Sequence, residues 1–339
     1  MVTNMTERPD VFFSIIIPAY NLENYIGRAI SSVLNQDFHN FELIVINDGS
    51  VDNTSVIINE YAKQHEKIIF LNHLKNESQH IVRINGVAIA KGQYILFLDG
   101  DDYYSDNALT DLYNEIQENP GYDFYEFGYL EQPARKSIFP LFLENNRFLA
   151  FFEKEEKILN AVWNKVYDSN MLKRAFSCME RLFINNAQDL YESIVIAYYA
   201  KKTKQIEKYF VNYLTGRGTS TTHKNYFQAI EFLHSFKTTS RCIKNFLILQ
   251  NQNISLDNLN YRYMAFTIDT YFITQKKAED REKLFLQLHE YFEQHIILKY
   301  LSVLKENFEI TSNRLNRIVN SIPFRFYKKI LKFFRKKKI

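Results

Sequence analysis

Three carboxylates crowd into four residues of the chain, at Asp99, Asp101 and Asp102, directly after the apolar run Tyr94–Leu98. Carboxylates this close repel one another unless a cation or hydrogen-bond donors compensate them, and Mg²⁺ and Mn²⁺ prefer oxygen ligands of this kind. The cluster therefore has two interpretations, a metal–diphosphate site or an acidic turn that caps a helix starting near Ser105 or Asp106. An EF-hand is excluded, because the further acceptors, the glycine and the distant Glu of its loop do not follow.

Two other apolar runs end in residues that suit a nucleotide. Asp48 follows the second run, where its carboxylate could bond to a base or a ribose or could belong to an ordinary turn and helix cap. The first run ends at Pro18, and the ring of Tyr20 could stack on a base or pack on the sheet. Arg83, which precedes the acidic cluster, could pair with phosphate or solvate a helix face.

The elements that must position these residues alternate along the chain. Four β-rich runs predict strands at 12–17, 43–46, 68–71 and 94–98. Amphipathic stretches between them predict helices at 26–34, 53–64 and 80–90. Strand and helix in alternation are typical of an α/β protein with a mostly parallel sheet covered on both faces, and such sheets bind ligands at the carboxyl ends of their strands.

Composition excludes several classes of protein. The 339 residues are 46% hydrophobic and 24% charged, which excludes collagen-like, disordered and coiled-coil chains and suits two domains, or one domain with an appendage. No apolar run approaches the roughly 20 residues that cross a bilayer. The isolated cysteines Cys178 and Cys242 predict neither a disulfide framework nor a zinc site. We therefore expect a cytoplasmic, reduced protein.

Charge and glycine usage divide the chain. The net charge of +3 includes eight basic residues and no acid in 324–339, so the remainder carries −5 and is a poor nucleic-acid binder. All nine glycines lie at or before Gly218, and the pattern after that residue predicts helices. Residues 323–339 place apolar side chains on one side of a helix and basic ones on the other, which predicts an interfacial helix on the anionic inner face of the cell membrane. A solvated basic terminus is the alternative.

Five motifs occur in order: Ile16-Ile-Pro-Ala-Tyr-Asn21, Ser32-Val-Leu-Asn-Gln36, Glu42 to Asp52, Ala90-Lys-Gly-Gln-Tyr-Ile95 and Phe97-Leu-Asp-Gly-Asp-Asp102. Their order and spacing resemble the inverting glycosyltransferases of family 2, and the chain resembles a bacterial member that builds surface polysaccharide or lipooligosaccharide. The resemblance covers about residues 12–225. It implies a GT-A domain over 1–225, with a nucleotide-sugar half to about residue 105 and an acceptor half over 106–225, followed by a helical region over 226–339.

The resemblance implies that a UDP-sugar is bound by the strand-end residues, namely Pro18, Tyr20, Asp48, Arg83, Asp99, Gly100 and Asp101. Among these, Tyr20 and Asp48 match the positions that contact uracil, and Arg83 matches the basic residue on the nucleotide side. Asp99 matches the Asp near the ribose. Asp101 matches the one that holds Mn²⁺ or Mg²⁺ on the diphosphate.

Two later segments carry the acceptor side of the resemblance. Val162-Trp-Asn-Lys165 resembles the family's W-x-K segment, which implies that Trp163 and Lys165 lie beside the acceptor. Gln188-Asp-Leu-Tyr-Glu192 resembles the family's E-D-L-Y-F segment, whose Asp is the catalytic base, so that role falls on Asp189. Gln188 stands where the family has Glu. The change removes one negative charge from the expected acceptor contact and leaves the base in place.

Two features concern loops over the donor. Ser78 stands where the family usually has glycine before Arg83. The segment 213–223 resembles the loop that closes over the donor, with Arg217 near phosphate and with His223 either joining the metal or lying on the surface.

An inverting transfer is a single displacement with one base, unlike the paired carboxylates of a glycoside hydrolase. We therefore expect transfer of a hexose or N-acetylhexosamine from a UDP-sugar to a hydroxyl of an oligosaccharide or lipid-linked glycan, with a β-linkage. The alternative is a weakened homologue that serves as a nucleotide-sugar-binding or assembly subunit. Pyrophosphorylases, Rossmann dehydrogenases and P-loop NTPases need a glycine-rich phosphate loop after the first strand, which Pro18 to Asn21 is not.

Overall fold

A computed structural model describes residues 11–140, 147–153, 160–216 and 226–267, together with Leu288, Tyr291, Phe292 and Ile296. The described residues form one nine-stranded sheet with helices packed on it.

The first part of the sheet follows the predicted alternation of strand and helix. Its elements are β1 (Phe13–Ala19), α1 (Ile26–Leu34), β2 (Phe41–Asp48), α2 (Thr54–Gln64), β3 (Ile68–His73), α3 (Gln79–Ile89) and β4 (Tyr94–Phe97). The four predicted strands and three predicted helices are thereby confirmed. Every residue of β1 and β2 is buried, which explains why these central parallel strands are almost continuous apolar runs in the sequence.

The second part adds strands that the sequence analysis does not predict. Its elements are β5 (Tyr103–Tyr104), α4 (Ala108–Glu118), β6 (Phe124–Gln132), β7 (Lys136–Ile138), α5 (Arg147–Glu153), β8 (Lys165–Asp168), α6 (Ser169–Ser177), α7 (Gln188–Tyr199) and β9 (Thr203–Leu214). The sheet order is β3-β2-β1-β4-β8-β6-β9-β5, with β7 paired to β6. The antiparallel pair β4–β8 makes the two parts one continuous sheet. The sheet is mixed and mostly parallel, because its parallel pairings are the longer ones.

Two helices follow the sheet, α8 (Tyr226–Leu249) and α9 (Asp257–Thr267), as the glycine-free composition predicts. α8 packs against α7 and the segment before it, where Asn245 Nδ2 donates to Glu180 Oε1 at 2.9 Å. Among the described residues no helix is long and apolar enough to span a membrane. The basic segment 323–339 lies outside the described residues, so its interfacial helix stays a prediction.

The topology brings the strand ends of the sequence motifs to one edge of the sheet. β1 lies between β2 and β4 and is parallel to both, with Ala19 opposite Asn47 and Ile16 opposite Phe97. The residues after these three strands therefore emerge on the same side, as expected for a ligand site in a parallel sheet.

Candidate active site

The turns after β1 and β2 form one wall of the site. Asn21 has a positive φ of 54°, and its side-chain oxygen accepts a hydrogen bond from the N–H of Val51 at 2.9 Å. The N–H of Asn21 donates to Ser50 Oγ at 3.0 Å, so the two turns are tied together. Pro18 is buried in β1, whereas the ring of Tyr20 is 46% exposed. An exposed ring is available for stacking, and the contact with uracil stays a prediction.

Asp48, at the end of β2, is buried and holds the segment before α3. Its two oxygens accept hydrogen bonds from the N–H groups of Glu77 at 2.9 Å and Ser78 at 3.0 Å. The same segment approaches Gly49 so closely that a Cβ at this φ of 69° would lie 2.4 Å from the carbonyl carbon of Lys75. Asp48 therefore organises a loop at the site, and its expected bond to uracil stays a prediction.

Ser78 replaces the glycine of the family pattern and keeps a glycine-type backbone, with φ 86° and ψ 151°. This region is costly for a residue with a Cβ and needs support from its surroundings. The support comes from both sides, because the N–H of Ser78 donates to Asp48 and its Oγ accepts from the N–H of Ile184 at 3.3 Å. The substitution thus adds a contact to the segment before α7.

The acidic segment after β4 is a tight turn, in which the N–H of Asp102 donates to the carbonyl of Asp99 at 3.0 Å. A Cβ on Gly100 would lie 2.7 Å from Leu22 Cδ1 and 3.0 Å from the carbonyl oxygen of Pro18. Glycine at this position therefore lets the turn pack against the end of β1. This packing places the predicted donor-binding carboxylates beside the turn after β1.

The carboxylates of this segment do not cap the next helix. α4 begins at Ala108, and its N-cap residue Asn107 makes no side-chain capping hydrogen bond. Asp102 Oδ1 instead accepts from the N–H of Leu214 at the end of β9, at 2.7 Å. The carbonyl oxygen of Asp101 accepts from an Nη2–H of Arg28 at 2.9 Å. The interpretation of the cluster as a helix cap is therefore wrong.

The electrostatics of the acidic segment favour uptake of positive charge. Burial raises the pKa of Asp99 to about 7, an effect that Arg83 opposes and that Asp189 and Asp101 reinforce. Burial, then the charges of Asp99 and Asp101, raise the pKa of Asp102 to about 9. Burial also raises the pKa of Asp101. A cation near these groups would relieve the repulsion between them.

Arg83 connects this segment to the predicted base. Its guanidinium is fully buried and donates through Nη2 to Asp99 Oδ1 at 3.3 Å and through Nη1 to Asp189 Oδ1. The same Nη1 donates to Glu192 Oε2 at 2.8 Å. The side chain of Asp189 is 36% exposed, so its carboxylate is held from one side and open on the other. The guanidinium nitrogens of Arg83 bond to three carboxylates, those of Asp99, Asp189 and Glu192. Its expected contact with a nucleotide therefore stays a prediction.

Sequence reasoning missed two residues of this cluster, Glu192 and His80. Both side chains are fully buried, and His80 Nδ1 lies 2.8 Å from Glu192 Oε1. The signal that could have found Glu192 is a charged residue among the apolar positions of α7, between Tyr191 and Ile194. A Glu almost never lies fully buried without a partner.

Gln188, on the acceptor side of the resemblance, belongs to the same cluster. Its Nε2 donates to Gln79 Oε1 at 2.8 Å, and Gln79 Nε2 donates to Asp99 Oδ1 at 3.0 Å. Gln188 Oε1 has no hydrogen-bond partner within the described part of the chain. An amide chain thus runs from α7 to the acidic segment, with one acceptor oxygen left for a further donor.

The other two predicted acceptor residues are engaged inside the protein. Trp163 is 7% exposed, with its ring stacked on Tyr213 at 5.2 Å and edge-on to Tyr129 at 4.9 Å. Lys165 Nζ lies 2.8 Å from the buried Glu126, and burial lowers the pKa of this lysine to about 8. Both side chains are held by buried partners inside the protein, and their direct contact with an acceptor stays a prediction.

Asp101 is the residue expected to hold a metal ion, so the donor atoms around it decide whether an ion fits. Within the described residues no group of three or more His, Cys, Asp or Glu side chains could hold a metal ion. Magnesium and similar ions commonly take one or two carboxylates and complete their shell with water and substrate phosphates. The oxygen donors and raised pKa values of the acidic segment fit an ion of that kind. Arg217 and His223 lie outside the described residues.

The cluster can perform proton abstraction next to a bound anion. Burial raises the pKa of Asp189, Arg83 opposes that shift, and the charge of Glu192 adds to it. A carboxylate with a raised pKa and an exposed oxygen suits a general base. The higher pKa makes it a stronger base toward the proton of an acceptor hydroxyl. The polar residues that follow the parallel strands beside Asp189 suit a charged ligand. Together, the mixed sheet and the ligand site at the ends of its strands form an α/β domain of the kind expected for the GT-A fold.

Comparison with known proteins finds glycosyltransferases among the similar chains. Residues 14–175, a little under half of the chain, match the glycosyl transferase family 2 model. The uncharacterized glycosyltransferase EpsJ of Bacillus subtilis is 34% identical over 171 residues, which are 48% of this chain and 49% of EpsJ. The poly(ribitol-phosphate) beta-glucosyltransferase of Bacillus spizizenii is 38% identical over 109 residues, 31% of this chain and 17% of that protein. The chain thus spans half or less of the length of these relatives.

Solved structures show the same fold. The crystal structure of residues 1–349 of S. aureus TarS in complex with UDP-GlcNAc matches with a TM-score of 0.61 at 20% identity, over 83% of this chain and 80% of that one. The complex of the same TarS segment with UDP matches with a TM-score of 0.59. The expected GT-A fold is therefore confirmed.

Proposed function

We propose that the chain is an inverting glycosyltransferase that moves a hexose or N-acetylhexosamine from a UDP-sugar to a hydroxyl of a growing surface glycan and forms a β-linkage. The observation that carries the proposal is that the guanidinium of Arg83 bonds to both Asp189 on α7 and Asp99 after β4. Asp99 lies at the edge of the sheet where the donor is expected to bind. A displacement needs the base and the leaving group in a fixed relation to one anomeric carbon. The glycosyltransferase names of the relatives and the UDP-GlcNAc complex of TarS support this class of reaction.

Asp189 serves as the base. Its carboxylate is held by Arg83 on the buried side and has a third of its surface open to an acceptor hydroxyl. The hydroxyl proton passes to Asp189 while the oxygen attacks the anomeric carbon, and UDP leaves with the electron pair of the broken bond. Burial raises the pKa of Asp189, and the charge of Arg83 opposes that rise, which favours the ionised form that a base needs.

The donor lies along the strand edge, with uracil at Tyr20 and Asp48 and the diphosphate at the acidic segment. Asp101 would hold Mn²⁺ or Mg²⁺. The ion would neutralise the negative charge that develops on the leaving UDP. Asp101 suits this role because burial raises its pKa and its backbone is fixed by Arg28. The acceptor is an oligosaccharide or a lipid-linked glycan, and the relative named poly(ribitol-phosphate) beta-glucosyltransferase supports an acceptor that is part of a polymer.

The proposal predicts the effect of Asp189→Asn. This variant keeps the shape of the side chain but cannot take a proton, so UDP binding should persist while transfer falls by about 10²–10⁴. The assay measures UDP release from a panel of UDP-sugars with Mn²⁺ and with oligosaccharide or poly(ribitol phosphate) acceptors, and NMR assigns the anomeric linkage. Asp37→Asn, at an exposed position outside the site, is the matched control and should leave the rate unchanged.

Two outcomes would overturn the mechanism: turnover like that of the parent protein by Asp189→Asn, or an α-linked product from a UDP-α-sugar. Binding of UDP-sugars without transfer to any acceptor in the panel would instead support the alternative of a nucleotide-sugar-binding subunit.

A further inference from the structure

A buried histidine–glutamate pair lies behind the predicted base. His80 is on α3 and Glu192 is on α7, and both side chains are wholly buried. His80 Nδ1 is 2.8 Å from Glu192 Oε1, and His80 Nε2 is 2.9 Å from the carbonyl oxygen of Glu180. The second oxygen of Glu192 accepts from Arg83, which in turn holds Asp189. A chain of four side chains therefore runs from His80 to the base.

Both ring nitrogens of His80 face oxygen atoms that can accept a hydrogen bond. A carbonyl oxygen only accepts, so Nε2 of His80 must carry a proton. Glu192 Oε2 accepts from the guanidinium of Arg83, which stabilises the ionised carboxylate. An ionised carboxylate also only accepts, so Nδ1 of His80 carries the second proton. Two acceptors facing the two ring nitrogens suit a doubly protonated His80, whose charge would balance that of Glu192.

The charge on His80 determines which carboxylates the guanidinium of Arg83 stabilises most. Arg83 faces three carboxylates, and a wholly buried Glu192 without compensation would take the largest share of its attraction. With Glu192 neutralised from its other side by His80, the charge of Arg83 remains available to Asp189 and Asp99. We propose that His80 and Glu192 are positioning residues that hold Arg83 on Asp189 and keep the base ionised. This inference rests on the proposed function, since it assigns the base to Asp189.

The sequence of α7 fits this role. Within Gln188-Asp-Leu-Tyr-Glu192, the chain departs from the E-D-L-Y-F segment at both ends, so one negative charge is absent at 188 and one is present at 192. Glu192 is the residue that both Arg83 and His80 reach. A buried ion pair costs desolvation that an apolar residue of similar size would avoid, so packing alone does not account for it. Burial raises the pKa of Asp189, and the charge of Glu192 raises it further. A positive charge on His80 would counter the contribution of Glu192.

Other titratable groups face this network from the neighbouring elements. They are Asp99 after β4, Lys165 and Tyr167 on β8, Glu180 before α7, Tyr191 on α7, Cys242 on α8 and Tyr263 on α9. The pKa of Asp99 is about 7 and that of Lys165 about 8, so both titrate in the range of an activity assay. The test therefore compares pH profiles between variants rather than reading one profile alone.

The kinetic test uses His80→Asn, which retains one hydrogen-bond donor but not the charge. We expect kcat for transfer to fall about tenfold or more while KM for the donor and the affinity for UDP stay within about twofold, and the acidic limb of the kcat profile to move to higher pH. The double variant His80→Asn/Glu192→Gln removes both charges together and should recover most of the lost rate and return the limb. His39→Asn, at an exposed histidine, is the control. A double variant as slow as His80→Asn, or a limb that does not move, would overturn the positioning role.

A second measurement is independent of turnover. In protein with ¹⁵N-labelled histidine, His80 should show two protonated ring nitrogens at pH 7.5 without substrate, and Glu192→Gln should remove the proton from Nδ1. A single proton at Nε2 in the parent protein would overturn the proposal, even where His80→Asn fails to fold. If the parent protein transfers no sugar at all, the proposed function fails, while the ring-proton count still decides the state of the pair.

Discussion

Replacing Arg83 by methionine should both destabilise the protein and disable the base. Methionine fills a similar volume but leaves Glu192, Asp189 and Asp99 without the guanidinium that they share. Breaking a buried ion pair by removing one partner costs about 3–5 kcal/mol. The side chains of Asp189 and Asp99 are 36% and 23% exposed, so water stabilises part of their charge. Glu192 keeps His80, so the expected loss lies at the lower end, about 3 kcal/mol at pH 8.

The loss should depend on pH with a definite sign. Burial already raises the pKa values of Asp189 and Asp99 above their ordinary values, and Arg83 opposes both shifts. Without Arg83 these folded-state values rise further above the unfolded ones. A group with a raised folded-state pKa contributes stability that is complete at low pH and is lost as the pH rises through that pKa. Arg83→Met should therefore be only slightly less stable than the parent at pH 5 and much less stable at pH 8.

Urea unfolding of Arg83→Met, Arg83→Lys and the parent at pH 5 and pH 8 measures both effects. Arg83→Lys keeps the charge but not the fork that reaches Asp189 and Asp99 together, so it should recover much of the stability and still lose transfer activity. Arg174→Met, at an exposed arginine of α6, should cost no more than about 0.5 kcal/mol. A loss for Arg83→Met below about 1 kcal/mol, or an equal loss at the two pH values, would refute the reasoning.

Three further predictions concern other parts of the chain. Asp101→Asn should weaken UDP binding when Mn²⁺ is present and leave it unchanged in EDTA, and calorimetry that finds equal losses in both buffers would contradict the metal role. Asp102→Asn keeps the oxygen that accepts from Leu214 but removes a carboxyl whose pKa is raised to about 9, so its stability relative to the parent should grow by about 1 kcal/mol or more from pH 5 to pH 8. An advantage that stays constant over that range would contradict the raised pKa. Deleting 323–339 should release the protein from anionic vesicles at low salt without changing transfer to a soluble acceptor, and equal co-sedimentation of the two forms would eliminate the membrane anchor.

The first part of the fold was predictable because its strands are buried on both faces. β1 and β2 have buried residues at every position, so they stand out as apolar runs between amphipathic helices. β6 and β9 could not be found in this way. β9 mixes lysine, glutamate and glutamine with aromatic residues and has an irregular burial pattern, and its parallel pairing with β6 shifts register around Gly128. Such strands are defined by their partners rather than by a local period.

The candidate site was predictable where it follows a strand end and not where helices meet. Asp48, Asp99 and Asp101 lie next to strand ends, which a sequence pattern locates. Arg83 and Asp189 are 106 positions apart, and only the packing of α3 near α7 brings them together. No spacing rule reports such a contact. The resemblance supplied a role for each of the two residues but not the bond between them.

The segment 188–192 has Gln188 and Glu192 where the family pattern has Glu and Phe, and the charge around Asp99 gives a reason for this difference. A glutamate at 188 would stand at the position from which Gln188 now reaches Gln79, one amide away from Asp99, whose pKa is already raised to about 7. A second carboxylate there would raise that pKa further, because like charges disfavour ionisation. The amide of Gln188 instead continues a hydrogen-bond chain that ends in a donor on Asp99. The negative charge that α7 carries at Glu192 is met by Arg83 and His80, so the helix contributes an acid to the cluster without adding repulsion at the donor edge.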